Sequence, residues 1–285
     1  MISVTAFLEG AQLLTFYMSA SLISHTKKIN WFVVTFAVIG GALLLFVFLP
    51  ILTTLLGTGG ALLWQTLQDP EIWSALWLTF YAALWATLLA LISGIPLAYL
   101  LARYDFRGKP WIQGLINLPI VIPHTAAGIA LLMVFGRQRF LGEFFAQFGI
   151  NFVDQLPGII VGMLFVSLPF LVNSAREAFA LVDPELERVA LSDGASRWQA
   201  FFLVALPLAW RGVLAGAVMM WGRGISEFGA IVILAYHPKT VPVLVYERFY
   251  GFGLAAAQPV AVILILAALV VFVLVQVLSR VRGKT

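Results

Sequence analysis

Apolar residues run without interruption through six stretches of the chain, at 31–56, 73–102, 111–136, 156–175, 206–235 and 251–279. About 20 apolar residues suffice to cross a hydrocarbon layer of about 30 Å. The runs are continuous rather than alternating, which argues against barrel strands. A backbone in lipid must satisfy its own polar groups, so each stretch is expected to be a helix. Charge enters only the fifth stretch, as Arg211, Arg223 and Glu227, and the third holds His124. The pattern predicts an all-α membrane protein with six transmembrane helices, its membrane domain covering 29–285. Residues 1–28 read differently. Thr5, Glu9, Gln12, Thr15 and Ser19 recur every three or four positions with Phe7, Leu8, Leu14, Met18 and Leu22 elsewhere. That polar stripe predicts an amphipathic helix lying in the membrane interface, a further span being the alternative.

The linkers alternate in charge. Lys27 and Lys28, then Arg103, Arg107 and Lys109, then Arg176, Arg188, Arg197 and Arg211, then Arg280, Arg282 and Lys284 fall on one side. Arg137, Arg139, Lys239 and Arg248 fall on the other. Cations mark cytoplasmic loops, so both termini are expected in the cytoplasm. Composition agrees with a lipid bilayer as solvent: 62% of residues are apolar and 11% charged, and the mean hydropathy is +1.00. A soluble enzyme or a nucleic-acid-binding domain could not hide that much apolar surface, so no nucleic-acid partner is expected. Cysteine is absent, which removes disulfides and thiolate metal sites. No basic region precedes Lys27, so no cleavable signal peptide is expected.

The linker 176–205 carries eight charges in a chain that otherwise avoids them. Asp183 followed by Pro184, with Glu185 and Glu187 next, has the form of a helix start: a capping side chain, a proline in the first turn and acids facing the positive end of the dipole. Gly194 has the form of a stop. A second short helix is expected from Ser196 to Pro207. A plain connection between bundle helices needs about 2–8 residues; this one predicts a helix–glycine–helix elbow.

The same segment resembles the cytoplasmic signature loop of ABC importer permeases, which reads E-A-A, three residues, Gly, nine residues, Ile-x-Leu-Pro. Here Gly194 is followed by nine residues and then Val204-Ala205-Leu206-Pro207. Upstream, Ala190 keeps the second alanine, Val189 replaces the first, and Arg188 stands at the glutamate position with Glu187 one residue earlier. The runs Gly222-Arg223-Gly224-Ile225-Ser226-Glu227-Phe228-Gly229 and Pro238 to Phe249, with Tyr246-Glu247-Arg248-Phe249, look like the molybdate/tungstate branch of that family, the sulfate permeases sharing the Glu-Phe-Gly part. The resemblance implies a type I importer permease subunit. Pro184, Glu185, Glu187, Arg188, Ala190, Gly194, Ala195, Leu206 and Pro207 would form the loop that couples it to an ATPase. Implied partners are a second copy of the chain, two cytoplasmic ABC ATPase subunits and an extracytoplasmic oxyanion-binding protein. No cofactor is expected on this chain. A phosphate-binding loop needs a G-x-x-x-x-G-K-[S/T] run opening a helix, and the final Gly283-Lys284-Thr285 has Leu278 where the first glycine belongs. ATP and magnesium are implied on the partner.

Inside the spans, Arg223 and Glu227 stand one helical turn apart and can neutralise each other. Two readings stay open: a gate with Ser226 in the pathway, or an ion pair that fixes packing. His124 and Thr125 follow Pro119 and Pro123, which loosen the helical ladder and permit a kink. His124 is either pathway-lining or bonded to a freed carbonyl. Gly158–Gly162 and Gly212–Gly216 allow close helix approach. Arg137, Arg139, Lys239 and Arg248 are candidates to meet the binding protein, or ordinary loop charges. The rival substrates are sulfate and other small solutes. The rival class is an ion-coupled carrier with Glu227 as proton relay.

Overall fold

A computed structural model describes residues 30–281, with side chains up to Val271 and at Val273. The amphipathic segment 1–28, and Arg282 and Lys284 with it, lie outside the described residues. The chain divides into two units at Leu55–Leu56. In the first, α1 (Trp31–Leu56) is a 26-residue apolar helix that buries none of its residues.

The second unit is built on α3 (Pro70–Arg103), α7 (Leu156–Leu181), α10 (Leu206–Ile225) and α13 (Leu254–Val281), with α2 (Gly60–Leu67) short ahead of them. Between them lie α4 (Lys109–Val121), α5 (His124–Phe135), α6 (Phe140–Ala146), α8 (Pro184–Ser192), α9 (Arg197–Ala200), α11 (Ile231–Leu234) and α12 (Val241–Phe252). Small residues set the packing. Ala75, Thr79, Ala82, Ala83, Ala86, Ala90, Gly94 and Ala98 form the buried face of α3. In lipid, where apolar contact alone gives helices no reason to associate, such a face lets backbones approach closely. The opposite face shows Trp73, Trp77 and Trp85 outward. Gly216 sits so near α7 that a Cβ there would come within 2.7 Å of Ser174 Cβ. The predicted glycine pairs therefore act inside this unit.

Among the described residues, five helical segments are long and apolar enough to cross a membrane, and a bent pair makes six if it counts as one span. The expected span 111–136 is not one helix with a kink. It is α4 and α5, bent by 116°. Pro123 has no N–H for the ladder and holds Ile122 in an extended conformation (ψ 143°), as the residue before a proline prefers. The fourth span runs to Leu181 instead of ending at 175 and carries Arg176 and Glu177 within the helix. The fifth is not a single helix from 206 to 235. Helix α10 ends at Ile225, a turn covers 226–230, and α11 follows. At its other end the helix does not restart at Pro207. It begins at Arg197 and passes through a π-helical turn, Phe201–Ala205. Leu206 N–H bonds to the Phe201 carbonyl, five residues back, a widened register that accommodates a proline with no donor. Helix α12, capped at Thr240 and running Val241–Phe252, was expected to be loop. Gly253, with φ +80°, separates it from α13.

Helix α3 is about 50 Å long at 1.5 Å per residue. Its two ends define the two ends of the unit: Arg103 meets the elbow at one, and Asp69 meets α12 at the other.

Candidate functional site

Three polar assemblies stand out in the second unit. The first lies within the spans, where both broken helices meet. The α4–α5 break puts His124 at the start of α5, and the end of α10 puts Arg223, Ser226 and Glu227 beside it. Arg223 Nη2 reaches Glu227 Oε2 at 3.0 Å, and His124 Nδ1 reaches the same oxygen at 3.0 Å. Arg223 Nη2 also lies 3.0 Å from His124 Nε2. The same guanidinium nitrogen lies 2.9 Å from His124 Nδ1; a guanidinium only donates, so the imidazole tautomer sets which ring nitrogen accepts from it. Glu227 is fully buried, and its other oxygen accepts Ala230 N–H at 2.8 Å. Ser226 Oγ donates to the Arg223 carbonyl at 3.0 Å. Thr125 stays exposed beside this knot. Glycines make the approach possible. A Cβ on Gly229 would meet His124 Cβ at 2.7 Å, and one on Gly128 would meet the Ala230 carbonyl oxygen at 2.8 Å.

The two readings of His124 and of the Arg223–Glu227 pair thus converge on one object. His124 bonds to a carboxylate rather than to a freed carbonyl. The knot staples the break in the third crossing to the break in the fifth. One cation and one carboxylate cancel, so it offers a passing anion little net attraction.

The second assembly is the elbow. Asp183 caps α8 by accepting Glu185 N–H at 2.9 Å, and Pro184 fills the first turn. Gly194 adopts φ +91°, a left-handed conformation that is strained for any residue with a Cβ. Around it, Ala195 N–H bonds to the Ala190 carbonyl at 3.0 Å and Gly194 N–H to that of Leu191 at 3.1 Å, the ladder of a Schellman stop. Ser196 and Gln199 then form a reciprocal capping box that starts α9. Leu206 is half-buried and Pro207 exposed. Glu185 and Arg188 pair with each other at the surface, 2.6 Å apart.

Glu187 does the opposite of its neighbours. It is 7% exposed, while Leu186 is 48% and Val189 52% exposed. Its Oε1 accepts Arg103 Nε at 2.7 Å, and its Oε2 accepts the Tyr99 hydroxyl. Tyr99 and Arg103 were not singled out in the sequence. Their signal was available, as a tyrosine and an arginine one turn apart at the end of a span. Beside the elbow lies a groove of about 580 Å³ lined by Glu177, Asp183, Leu186 and Arg211 among others.

The third assembly sits at the far end. Lys239 binds Glu247 at 2.6 Å and Glu71 at 3.1 Å, and Arg248 binds Asp69 at 2.5 Å and Glu71 at 3.3 Å. The Tyr236 hydroxyl donates to Glu247 at 2.8 Å. The hydrogen bond from Arg248 holds the Asp69 carboxyl below its ordinary range, and that from Lys239 does the same for Glu247. Lys239 is raised in turn, chiefly by Glu247. Two of the four loop cations are therefore answered within the chain. Arg139 reaches the Met133 sulfur at 3.4 Å, and Arg137 is exposed.

Residues 94–282 match the family of binding-protein-dependent transport system inner membrane components. The chain belongs to that family. It is a permease subunit of the ABC importer type, and a multi-pass protein of the inner membrane. It is 42% identical over 243 residues to the molybdate/tungstate transport system permease protein WtpB of Thermococcus kodakarensis, covering 85% of this chain and 93% of that one. The corresponding protein of Pyrococcus furiosus is 43% identical over 251 residues, covering 87% and 95%. The sulfate transport system permease protein CysT of Escherichia coli is further away, at 29% over 225 residues, covering 78% and 81%. Among solved structures, a bacterial alginate ABC transporter in complex with its substrate-bound periplasmic protein superimposes with a TM-score of 0.72 at 18% identity, over 91% of this chain and 98% of that one. The molybdate/tungstate relatives bear the name of the branch that the Tyr-Glu-Arg-Phe run resembles.

Proposed function

We propose that this permease moves molybdate and tungstate into the cytoplasm, driven by ATPase subunits that grip the elbow. The chain holds no nucleotide site of its own, and ATP and magnesium belong to the partner. Two copies form the pathway, since two ATPase subunits need two elbows. An extracytoplasmic binding protein delivers the oxyanion at the end that carries Arg137 and Arg139, and both termini face the cytoplasm with the elbow.

The observation that carries the ATPase part is the inverted face of α8. A lone amphipathic helix turns its apolar stripe inward. Here Leu186 and Val189 point outward and the carboxylate of Glu187 points in. An exposed apolar edge on a rigidly capped helix suits docking into a complementary groove. The substrate part is supported by the names and 42–43% identities of the molybdate/tungstate relatives. The neutral knot fits this cargo: a tight cationic site between the membrane faces would trap a dianion that has to leave.

The test is reconstitution. The permease, its ATPase and its binding protein in liposomes should take up radiolabelled molybdate only with ATP, and tungstate should compete better than sulfate. Uptake by the permease without an ATPase would overturn the reading in favour of an ion-coupled carrier. Equal competition by sulfate would move the substrate to that branch.

A further inference from the structure

Motion of an elbow held by an ATPase has two covalent routes into the bundle, back into α7 and forward into α9 and α10. Both joints break the helix. Val182 leaves α7 in an extended conformation (ψ 124°). Gly194 and the π-helical turn interrupt the forward route. What holds α8 to the bundle is something else. Of its nine residues the buried one is Glu187, so the helix attaches by a carboxylate rather than by an apolar face.

We propose that Tyr99 and Arg103 are positioning residues that couple the elbow to α3, making the second crossing a direct receiver of the ATPase stroke. The inference rests on the function proposed above and adds a route that the chain's connectivity does not supply. Glu187 lies 84 residues from Arg103 and 88 from Tyr99 in sequence. Each of its oxygens has its own donor from α3, so the carboxylate is fixed in orientation as well as in place. Arg103 adds a second contact from Nη2 at 2.6 Å, and the two side chains are 8% and 10% exposed. Burial strengthens the pair, so separating it is costly even though Arg103, last in its helix, can turn toward water. The elbow therefore carries the end of α3 with it.

Tyr99 reaches further than its hydroxyl. Its ring packs edge-on against Phe179 near the end of α7, with centroids 5.4 Å apart, and against Phe201 at the start of the π-helical turn, 4.9 Å apart. One side chain of α3 thus touches both flanks of the elbow and the elbow itself. A displacement of α8 is shared among three crossings at a single point.

The experiment compares coupling ratios in the reconstituted complex of permease, ATPase and binding protein, as ATP hydrolysed per molybdate taken up. Tyr99→Phe keeps the ring against Phe179 and Phe201 and removes only the hydroxyl. It should raise the ratio about threefold. Glu187→Gln, which removes the charge from both contacts, should raise it about tenfold. The exchange R103E with E187R restores an ion pair and should bring the ratio back toward that of the unaltered complex, compared with E187R alone. A merely structural role predicts otherwise: hydrolysis and uptake fall together as assembled complexes are lost, and the ratio holds. A constant ratio in Tyr99→Phe and Glu187→Gln overturns the inference while leaving the functional reading intact. An unaltered complex that moves no molybdate overturns that reading before any variant is compared.

Discussion

Two buried carboxylates hold this molecule together, and they find their arginines in different ways. Glu227 takes Arg223 from its own segment, four residues back, and adds His124 from a second helix. Glu187 takes both its donors from α3, with nothing on α8 to share the load. The first pair is local and would neutralise itself even in an isolated helix. The second exists only when the elbow is seated. The knot accordingly fixes how two broken crossings meet, whereas the elbow contact is a joint between elements that can be loaded separately.

Depth separates them as well. His124 opens α5 at the break in the third crossing, and the Glu227 it holds is fully buried. Arg103 is the last residue of its helix. An arginine at a helix end can extend its head toward water once its partner is gone, whereas Arg223 is held at the break between crossings by His124 and Ser226. The comparison breaks or holds on two truncations. Glu227→Ala should cost about 3–5 kcal/mol by leaving Arg223 uncompensated. Glu187→Ala should cost about 1–3 kcal/mol, because Arg103 has somewhere to go. Thermal unfolding of the purified permease in detergent ranks the two. Glu227→Leu combined with Arg223→Met should recover most of the loss, as a buried pair replaced by apolar groups does. Equal losses for the two truncations would mean that depth does not distinguish the sites.

The middle-sized effect concerns how firmly the elbow is shaped. Gly194 has open space around the position of a Cβ, so a side chain there meets no neighbour and acts only through the backbone. At φ +91° a β-branched residue is strained by about 1–2 kcal/mol. Gly194→Val should therefore leave the spans inserted and the Glu187–Arg103 contact in place while turning α9 away from α8. Copurification of the ATPase with the permease reads this directly, and the variant should retain several-fold less. Gly194→Asn, which tolerates the left-handed region, should retain more. Normal ATPase recovery with Gly194→Val would show that α8 alone, pinned by Glu187, is enough to dock.

The same contrast explains what could be read in advance. The Arg223–Glu227 pair lies at one-turn spacing, and the elbow's ends are written in Asp183-Pro184 and Gly194, so local rules reach them. The six crossings follow from apolar runs alone. Hidden from the sequence was every contact with a partner far along the chain. His124 reaches Glu227 only because α4 and α5 bend by 116°, which no periodicity states. Glu187 was readable as a first-turn acid of the elbow, but its partners on α3 were not, because local amphipathicity would turn Leu186 and Val189 inward and here they stay exposed. Helix α12 was missed although Thr240 and Pro242 carry a start signal, because its run is neither fully apolar nor evenly periodic. Asp69 and Glu71 had a readable cap but no visible partner until Arg248 and Lys239 arrived from 168 or more residues away.

The far-end cluster is the weakest of the three assemblies and sharpens the comparison from below. Its side chains are 19–45% exposed, so solvent screens each pair. Their contribution should follow pH. Asp69 and Glu247 are held below their ordinary values by Arg248 and Lys239. A group with a lowered folded value stabilises fully above its unfolded value, and that support is lost as pH falls through the folded one. Lys239 is raised, so its share persists below its unfolded value and is lost only as pH rises through the folded one, in the alkaline range. The clamp between α3 and α12 should thus be intact at neutral pH and loosen below about pH 4. Hydrogen exchange, corrected for intrinsic rates, should then rise in 241–252. Arg248→Gln should produce the same loosening of 241–252 at neutral pH. Protection of α12 that ignores both acid and Arg248→Gln would assign its docking to the Thr79 hydroxyl, which accepts Val241 N–H at 2.9 Å in the buried interior, and not to the charges around it.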